Sequence, residues 1–337
     1  MQFAGSHILS VEQFERADVE RIFAVADQMG PYARRRRVTR VLDGAILGSM
    51  FFEPSTRTRV SFGSAFNLLG GEVRETTGFE TSAIAKGESL YDTARVLSGY
   101  SDVIAMRHPV TGSVAEFAAA SRVPVINGGD GSNEHPSQAL LDLYTIKSEL
   151  AGRGRGIDRL RIAMVGDLRF GRTVHSLSKL LCLFDRVQVT LVSPGELCMP
   201  GDIVEEMRQA GVEVIETDAF EASISHVDIV YSTRIQEERF STQAEADLYR
   251  GRYRLNQSIY THHCEPNTVI MHPLPRDSRD SARELDDDLN DNPNLAIFRQ
   301  TDNGMLVRMA LFALVLDVAE QVDRHARDVN WYTAGRF

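Results

Sequence analysis

The segment at positions 51–59, Phe-Phe-Glu-Pro-Ser-Thr-Arg-Thr-Arg, concentrates hydroxyl and guanidinium groups where a predicted strand runs into a predicted helix. Backbone N–H groups and the helix dipole attract anions at such a helix start. The side chains that would add donors there are Ser55, Thr56, Arg57 and Thr58. A structural alternative is a helix that is capped by Ser55 and whose arginines are solvated. Three hydroxyls and two arginines within five residues favour a phosphate site.

Two further segments of the first half carry candidate donors. Positions 106–109, Met-Arg-His-Pro, place Arg107 at a predicted strand end, where a guanidinium could bind phosphate oxygens in a bidentate manner. Positions 127–138 place His135 and Gln138 at the start of a long helix, after a glycine-rich turn. A histidine N–H aimed at a carbonyl stabilises the oxyanion that forms when an amine attacks. Taken singly, Arg107 also fits a surface ion pair, and His135 a structural histidine.

The second half contains a glycine-containing strand end and a proline-rich turn. Positions 165–176, Val-Gly-Asp-Leu-Arg-Phe-Gly-Arg-Thr-Val-His-Ser, lack the Gly-x-Gly-x-x-Gly spacing, which argues against a dinucleotide site. Positions 271–276 read Met-His-Pro-Leu-Pro-Arg. Prolines leave rigid backbone carbonyls free, so those of Leu274 and Pro275 can accept hydrogen bonds from an amide NH₂. A strand-terminating turn is compatible with that role.

The elements that must position these residues form two successive α/β halves, separated by a Gly/Arg-rich break at 151–156. Predicted strands are 44–52, 102–106, 123–126, 161–165, 187–192, 227–231 and 268–271. Predicted helices are 56–69, 90–97, 113–120, a long one from 135, 173–184, 202–210 and 305–322. The polar, irregular stretch 236–258 is predicted to be a mobile loop with some helix. This alternation predicts doubly wound parallel sheets, in which ligands bind at the carboxyl ends of the strands.

Composition limits the classes of partner. The 337 residues include 37 basic and 47 acidic side chains, a net charge of −10, which argues against nucleic-acid or anionic-membrane binding. The N-terminus lacks the apolar stretch of a signal peptide, and the most apolar late stretch is too short to span a bilayer. Three scattered cysteines, Cys182, Cys198 and Cys264, form neither a disulfide framework nor a zinc site by spacing. A cytoplasmic protein without a bound metal is expected.

In order along the chain, these motifs resemble the aspartate/ornithine carbamoyltransferase family. The matching patterns are Ser-x-Arg-Thr-Arg, His-Pro-x-Gln, Arg-Thr-Val-His-Ser, His-Pro-Leu-Pro and a loop Ser-x-x-x-Lys-Gly-Glu at 82–88. The resemblance extends from about 51 to 316. The ornithine branch has His-Cys-Leu-Pro where this chain has His-Pro-Leu-Pro, so the aspartate branch is indicated. The chain departs from the pattern at 277–291, which is longer and more acidic than expected, and at 236–257.

The resemblance implies carbamoyl transfer from carbamoyl phosphate to the amine of L-aspartate, an early step of pyrimidine synthesis that needs no cofactor. It implies a carbamoyl-phosphate domain at 1–137 plus 305–337, to which the C-terminal helix returns, and an aspartate domain at 138–304. It also implies a homotrimer in which Ser82 and Lys86 enter the neighbouring subunit's site. Domain closure is expected, with Glu53 and Arg234 as a cross-domain pair.

The residue roles follow from the same resemblance. Carbamoyl phosphate is expected to bind Ser55, Thr56, Arg57, Thr58, Arg107, His135, Gln138, Leu274 and Pro275. Aspartate is expected to bind Lys86, Arg172, Arg234 and Gln236, because two arginines suit a dicarboxylate. The expected catalytic residues are His135, Arg57, Thr58, Arg107 and Lys86.

Two alternatives remain open from the sequence. One is a carbamoyltransferase for another amino acid, such as an acylated ornithine, which would share the carbamoyl-phosphate motifs. The other is a catalytically silent paralogue with a structural or regulatory role. The sequence also leaves open whether regulatory chains associate and whether nucleotides inhibit.

Overall fold

A computed structural model of the chain describes residues 1–76, 87–237, 240 and 242–333. The chain divides into two compact units, the first Met1–Leu141 with Asp302–Phe337 and the second Asp142–Thr301. Each unit contains a parallel sheet with helices, so the predicted fold class is confirmed. None of the helices in the described part of the chain has the length and apolar character that crossing a bilayer requires.

The elements are numbered in chain order. The strands are β1 Arg37–Val38, β2 Ile46–Phe51, β3 Glu72–Thr76, β4 Val103–His108, β5 Val125–Asp130, β6 Arg161–Val165, β7 Gln188–Val192, β8 Glu213–Thr217, β9 Ile229–Ser232, β10 Val269–Met271 and β11 Arg327–Asp328. The helices are α1 Arg16–Gln28, α2 Gly30–Ala33, α3 Thr56–Leu68, α4 Leu90–Leu97, α5 Ser113–Ala120, α6 Pro136–Ala151, α7 Arg172–Leu181, α8 Gly201–Gln209, α9 Phe220–Ser223, α10 Gln243–Asp247, α11 Gln257–His263 and α12 Ile297–Val315.

The sheet of the first unit has the order β3-β2-β4-β5, and all its pairs are parallel. The inner strand β4 is buried along most of its length, and its residue Met106 packs in one core with Phe117 of α5. Helix α3 packs against α12, since the Phe66 and Phe312 ring centroids lie 5.0 Å apart in edge-to-face geometry. These contacts fix the start of α3 relative to the sheet.

The sheet of the second unit has the order β10-β9-β6-β7-β8 and is also parallel throughout. Its core contains Val230 and Ile270 from the strands, joined by Tyr253, Leu255 and Leu285 from outside the sheet. The stretch that the sequence predicted to be irregular, 236–258, therefore contributes buried residues and includes the short helix α10.

The prediction lacks helices α1, α2 and α9 and the short strands β1 and β11, and it differs from the structure in further elements. The helix predicted at 305–322 is α12, Ile297–Val315, followed by a 3₁₀ helix, Ala319–His325. The strands β3 and β8 were not predicted, because both are outer strands with largely exposed, charged sequences and no apolar run. The first turn of α12 was not predicted, because Gln300 is a polar residue of a type usually found on the surface. In the structure Gln300 is buried.

A buried carboxylate explains why Gln300 is inside. Asp142 of α6 accepts hydrogen bonds from the Tyr231 hydroxyl at 2.6 Å and the Gln300 amide at 2.7 Å, all within the second unit. Burial and the adjacent Asp142 carboxylate raise the pKa of Tyr231 well above its ordinary value, so the phenol stays a donor. The carbonyl oxygen of the Gln300 side chain accepts from the His272 backbone at 2.9 Å. This network joins α6, α12 and β9 to the turn after β10.

A second buried carboxylate, that of Asp228, binds residues near the amino ends of β6 and β9. Asp228, which is 6% exposed, accepts from Arg155 Nη1 at 2.6 Å, Arg155 Nη2 at 3.1 Å and the Arg161 backbone at 2.9 Å. Burial raises the pKa of Asp228, but these hydrogen bonds outweigh burial and hold the pKa below the ordinary 3.8. The ionised carboxylate therefore stabilises the folded state.

Replacing Asp228 by asparagine is expected to lower the free energy of unfolding at pH 7 by about 1–3 kcal/mol, since the charge-assisted bonds are lost. A lowered folded-state pKa stabilises the protein above the unfolded pKa, and that stabilisation is lost as the pH falls through the folded-state pKa. The difference between Asp228→Asn and wild type should therefore shrink below about pH 4. Urea unfolding at several pH values measures it.

The exposed Asp291 supplies the control. Asp291→Asn should stay within about 0.5 kcal/mol of wild type at every pH. A difference for Asp228→Asn that is independent of pH from about 3 to about 7, a range that includes the ordinary Asp pKa of 3.8, would contradict the electrostatic account.

Candidate active site residues

The carboxyl ends of three neighbouring strands, β2, β4 and β5, carry the polar segments of the first unit. Phe51 pairs with Arg107 across β2 and β4, and His108 pairs with Asp130 across β4 and β5. The Phe52 N–H donates to the Arg107 carbonyl at 2.9 Å, which continues the pairing beyond β2. The segments that follow these strands therefore begin at the same edge of the sheet, as the strand-end rule requires.

Ser55 occupies the N-cap position of α3, and Thr56, Arg57 and Thr58 form its first turn. The Ser55 side chain makes no capping hydrogen bond. The structural alternative, in which this hydroxyl serves only to cap the helix, is therefore not realised. Ser55 and Thr58 are half-buried, whereas Thr56 and Arg57 are exposed. Hydroxyls, a guanidinium and the first amides of the helix together suit an anion.

Arg107 forms an ion pair with Glu53, one residue before Pro54 in the same strand-end segment. Its Nε donates to Glu53 Oε1 at 2.6 Å, and its Nη2 donates to the same oxygen. Both side chains are largely buried, at 14% and 16% exposed. Burial lowers the pKa of the neighbouring His108, which keeps that ring neutral. Glu53 thus binds Arg107 within the first unit, and its expected pairing with Arg234 on domain closure stays a prediction.

The turn after β5 places His135 at the threshold of α6. Its backbone is constrained by Gly131, which has a φ of 56° and would bring a Cβ to 2.5 Å from Thr111 Oγ1. His135 is buried, and its Nδ1 lies 3.4 Å from the Ser137 hydroxyl. Gln138 follows in the first turn of the helix and is half-buried. The buried neighbour Glu134 accepts from Ser10 Oγ at 2.7 Å, so the N-terminal segment supports this turn.

In the second unit, the carboxylate of Asp167 joins two strand-end loops. It is fully buried and accepts from the Phe170 N–H at 3.0 Å and the Gln236 N–H at 3.1 Å. The two loops touch closely, because a Cβ on Gly166 would lie 2.2 Å from the Thr233 carbonyl oxygen. The motif at 165–176 contains Asp167, but its residue types alone assign this carboxylate no role. The sequence feature that could have indicated this role is an acidic residue that directly follows a predicted strand and a glycine.

These two loops carry the predicted amino-acid-binding residues. Arg172 begins α7, six residues beyond Gly166, and Arg234 and Gln236 follow β9. All three side chains are half-buried. Since β6 and β9 are adjacent in the sheet, the structure brings the two loops together through Asp167.

The proline-rich turn follows β10, the neighbour of β9. The His272 backbone is held by Gln300, and the Leu274 N–H donates to His272 Nδ1 at 2.8 Å. The Leu274–Pro275 peptide bond is cis, and Leu274 has a φ of 56°. The backbone of Leu274 and Pro275 is therefore fixed by contacts that the motif alone did not reveal.

Ser82 and Lys86 lie outside the described residues, at 77–86. Within the part of the chain that the structure describes, no group of His, Cys, Asp and Glu is arranged to hold a metal ion. The three cysteines there are free thiols, and burial raises the pKa of Cys264 to about 12.

Comparison with known proteins connects both units to one family. A family model described as "Aspartate/ornithine carbamoyltransferase, carbamoyl-P binding domain" matches residues 6–148. A second, described as "Aspartate/ornithine carbamoyltransferase, Asp/Orn binding domain", matches residues 158–315. The aspartate carbamoyltransferase catalytic subunit of Saccharophagus degradans is 76% identical over 337 residues, which is the full length of both chains.

Solved structures agree with these matches. The aspartate transcarbamoylase of Trypanosoma cruzi, in complex with carbamoyl phosphate and aspartate, is 38% identical with a TM-score of 0.85, over 93% of this chain and 98% of that one. The catalytic subunit of the Methanocaldococcus jannaschii enzyme is 41% identical with a TM-score of 0.84, over 94% of this chain and 99% of that one.

The fold and these matches define an α/β transferase with hydroxyl, histidine and arginine side chains at the carboxyl edge of one sheet and arginine side chains at that of the other. Within that class, the chain belongs to the aspartate/ornithine carbamoyltransferase family.

Replacing Asp167 by alanine is expected to lower the free energy of unfolding by about 2–4 kcal/mol, because two buried N–H groups lose their acceptor. Amide hydrogen exchange should become faster at Phe170 and Gln236. Mass spectrometry of peptides from the two loops measures this exchange. Asp167→Asn keeps an acceptor oxygen and should lie between alanine and wild type. Unchanged exchange at both amides in Asp167→Ala would contradict this role.

Proposed function

We propose that the chain transfers the carbamoyl group of carbamoyl phosphate to the amine of L-aspartate, forming N-carbamoyl-L-aspartate and phosphate. The observation that carries the proposal is the full-length identity of 76% to an aspartate carbamoyltransferase catalytic subunit. The placement of the predicted residues at the carboxyl ends of β2, β4, β5, β6, β9 and β10 supports it. Among known pathways this reaction is an early step of pyrimidine synthesis.

The first unit is the proposed carbamoyl-phosphate-binding domain. The phosphate would be held by the helix start and by the arginines, namely Ser55, Thr56, Arg57, Thr58 and Arg107, with Lys86 of a neighbouring subunit. This proposal is supported by the Ser55 hydroxyl, which makes no capping hydrogen bond to α3, and by the largely buried guanidinium of Arg107. Thr58, Arg107 and His135 would donate to the carbamoyl oxygen. The carbamoyl NH₂ would be bound by Gln138 and by the carbonyls of Leu274 and Pro275.

The second unit is the proposed aspartate-binding domain. Arg172 and Arg234 would bind the two carboxylates, and Gln236 would orient the molecule. Guanidinium groups bind carboxylates in a bidentate manner, so two arginines from loops joined by Asp167 suit a dicarboxylate. Ornithine, with a cationic side chain, would be repelled by the same pair.

The reaction follows from positioning and charge stabilisation. The neutral amine of aspartate attacks the carbamoyl carbon and forms a C–N bond, and the carbonyl electrons move to oxygen. Hydrogen bonds from His135, Thr58 and Arg107 stabilise that oxyanion. The C–O bond to phosphate then breaks, and the departing phosphate takes the proton released by the amine.

A homotrimer with shared active sites is part of the proposal. In the first unit, large apolar side chains are exposed on and near α3, α4 and β4: Val60, Tyr91, Val96, Tyr100 and Val110. A trimer would bury some of these side chains against another chain, but apolar residues exposed singly are common, so the trimer rests on the family resemblance. The free thiols support a reducing compartment, the cytoplasm.

The function is tested by incubating the purified chain with carbamoyl phosphate and a panel of aspartate, ornithine and acylated ornithine. Among these amino acids, only aspartate is expected to give phosphate release and a carbamoylated product. A product from acylated ornithine would assign the chain to another acceptor. Binding of carbamoyl phosphate without turnover on any amine would indicate a silent paralogue.

His135→Ala is expected to lower turnover at saturating substrates by about 10²-fold or more, because one donor to the oxyanion is lost. Binding of carbamoyl phosphate, measured by calorimetry, should weaken far less. Ser121→Ala is the control, since the Ser121 hydroxyl donates to the Val123 carbonyl at 2.8 Å before the amino end of β5, away from the carboxyl ends of the strands. Near-normal turnover in His135→Ala would refute the assigned role.

The shared site predicts complementation between two inactive variants. Trimers assembled from Lys86→Gln and His135→Ala chains in equal amounts should contain some sites with both native residues. Random assortment gives about a quarter of the wild-type activity. Each variant alone, unfolded and refolded identically, is the control. Mixed trimers that remain inactive would show that Lys86 does not act across the subunit interface.

A further inference from the structure

The carboxylate of Glu237, directly after Gln236, is bound by two guanidinium groups. Arg250 Nε donates to Oε1 at 2.6 Å and Arg250 Nη2 to Oε2 at 2.8 Å. Arg279 Nη2 donates to Oε1 at 2.7 Å and Arg279 Nη1 to Oε2 at 3.2 Å. Both pairs are bidentate, and Glu237 is only 14% exposed. Paired geometry of this kind fixes position as well as charge.

Arg279 belongs to the acidic segment 277–291, which is itself well fixed. Asp277 accepts from the Arg279 backbone at 2.9 Å and from its Nε at 3.0 Å, which orients the guanidinium. The Leu255 N–H donates to the Glu284 carbonyl at 2.9 Å, and the Asp286 N–H donates to the Leu255 carbonyl at 2.9 Å. The buried Leu285 then anchors the segment in the core of the second unit. Arg279 is thus a donor presented by a rigid support.

The stretch from Arg234 to Glu237 is held from two directions. On one side, Asp167 accepts from the Gln236 N–H at 3.1 Å. On the other, Arg279 and Arg250 bind the Glu237 side chain. One peptide unit, a Cα separation of about 3.8 Å, joins Gln236 to Glu237, so displacement of Glu237 displaces Gln236.

We propose that Arg279, acting through Glu237, is a positioning residue for the amino-acid substrate and sets the location of Arg234 and Gln236. The inference rests on the proposed function, because these two residues are proposed there to bind aspartate. It also assigns a role to the segment 277–291, which supplies the fixed point. Arg279 is 51% exposed, so its ion pairs contribute little to global stability and their effect is local.

The steady-state test compares wild type with Arg279→Gln, Arg279→Lys, Glu237→Gln and the double variant Glu237→Gln/Arg279→Gln. Arg279→Gln should raise the KM for aspartate about five- to tenfold, with kcat and the KM for carbamoyl phosphate within about twofold. Arg279→Lys keeps the charge but not the bidentate geometry and should recover part of the affinity. The double variant should be no worse than Glu237→Gln alone, since both changes remove one interaction.

The matched control is Arg283→Gln. Arg283 lies in the same segment, where it pairs with Asp280 and Asp287 and donates to the Ser278 carbonyl. It should behave as wild type. The proposal is overturned if Arg279→Gln leaves the KM for aspartate within twofold of wild type. It is equally overturned if both substrates are affected alike, or if Arg283→Gln has the same effect.

A readout without substrate separates this inference from the proposed function. Amide exchange of a peptide containing 234–237 should be faster in Arg279→Gln than in wild type or Arg283→Gln. If wild type forms no carbamoyl-aspartate, the proposed function fails, while exchange still tests the tie between Arg279 and the loop. If wild type is active and exchange is unchanged in Arg279→Gln, the positioning role alone is refuted.

Discussion

Parallel pairing of strands is the constraint on which the placement of the proposed ligand-binding residues in the described part of the chain depends. Neighbouring parallel strands end at the same edge, so β2, β4 and β5 deliver their polar segments together, and so do β6, β9 and β10. The amino ends of the strands in the second sheet carry none of these polar segments and have a structural role. There Asp228 and its two arginines tie the strands at their amino ends. Chemistry and anchoring are thereby separated by the length of a strand.

The inner strands and the helices between them could be predicted from the sequence because burial on both faces leaves apolar runs. Two of the edge strands, β3 and β8, could not, whereas the edge strands β5 and β10 carry apolar runs and were predicted. β3 reads Glu-Val-Arg-Glu-Thr and β8 reads Glu-Val-Ile-Glu-Thr, and neither has an apolar run. The early start of α12 was hidden for another reason. Gln300 looks like a surface residue, and only its bond to Asp142, 158 positions away, explains its burial.

The site shows the same division. Residue types that bind anions could be located because they follow predicted strands in recognisable motifs, as with Arg107 and Arg172. The groups that hold those residues could not, because their partners are distant in sequence. Asp167 bonds to Gln236 across 69 positions, and Arg279 reaches Glu237 across 42. A single sequence carries no record of such pairs, since an isolated acidic residue has the same appearance on a solvated surface.

The ion pair between Glu53 and Arg107 has a consequence for which anions the first unit accepts. The guanidinium already has an internal counter-ion, so a ligand that binds there takes part in an exchange and not in a simple addition. Its net affinity is the difference between two ion pairs in the same largely desolvated surroundings. A singly charged, weakly coordinating anion gains little in such an exchange, whereas a doubly charged phosphate with three terminal oxygens gains much. Glu53 therefore lowers the net affinity of Arg107 for any anion that has to displace it.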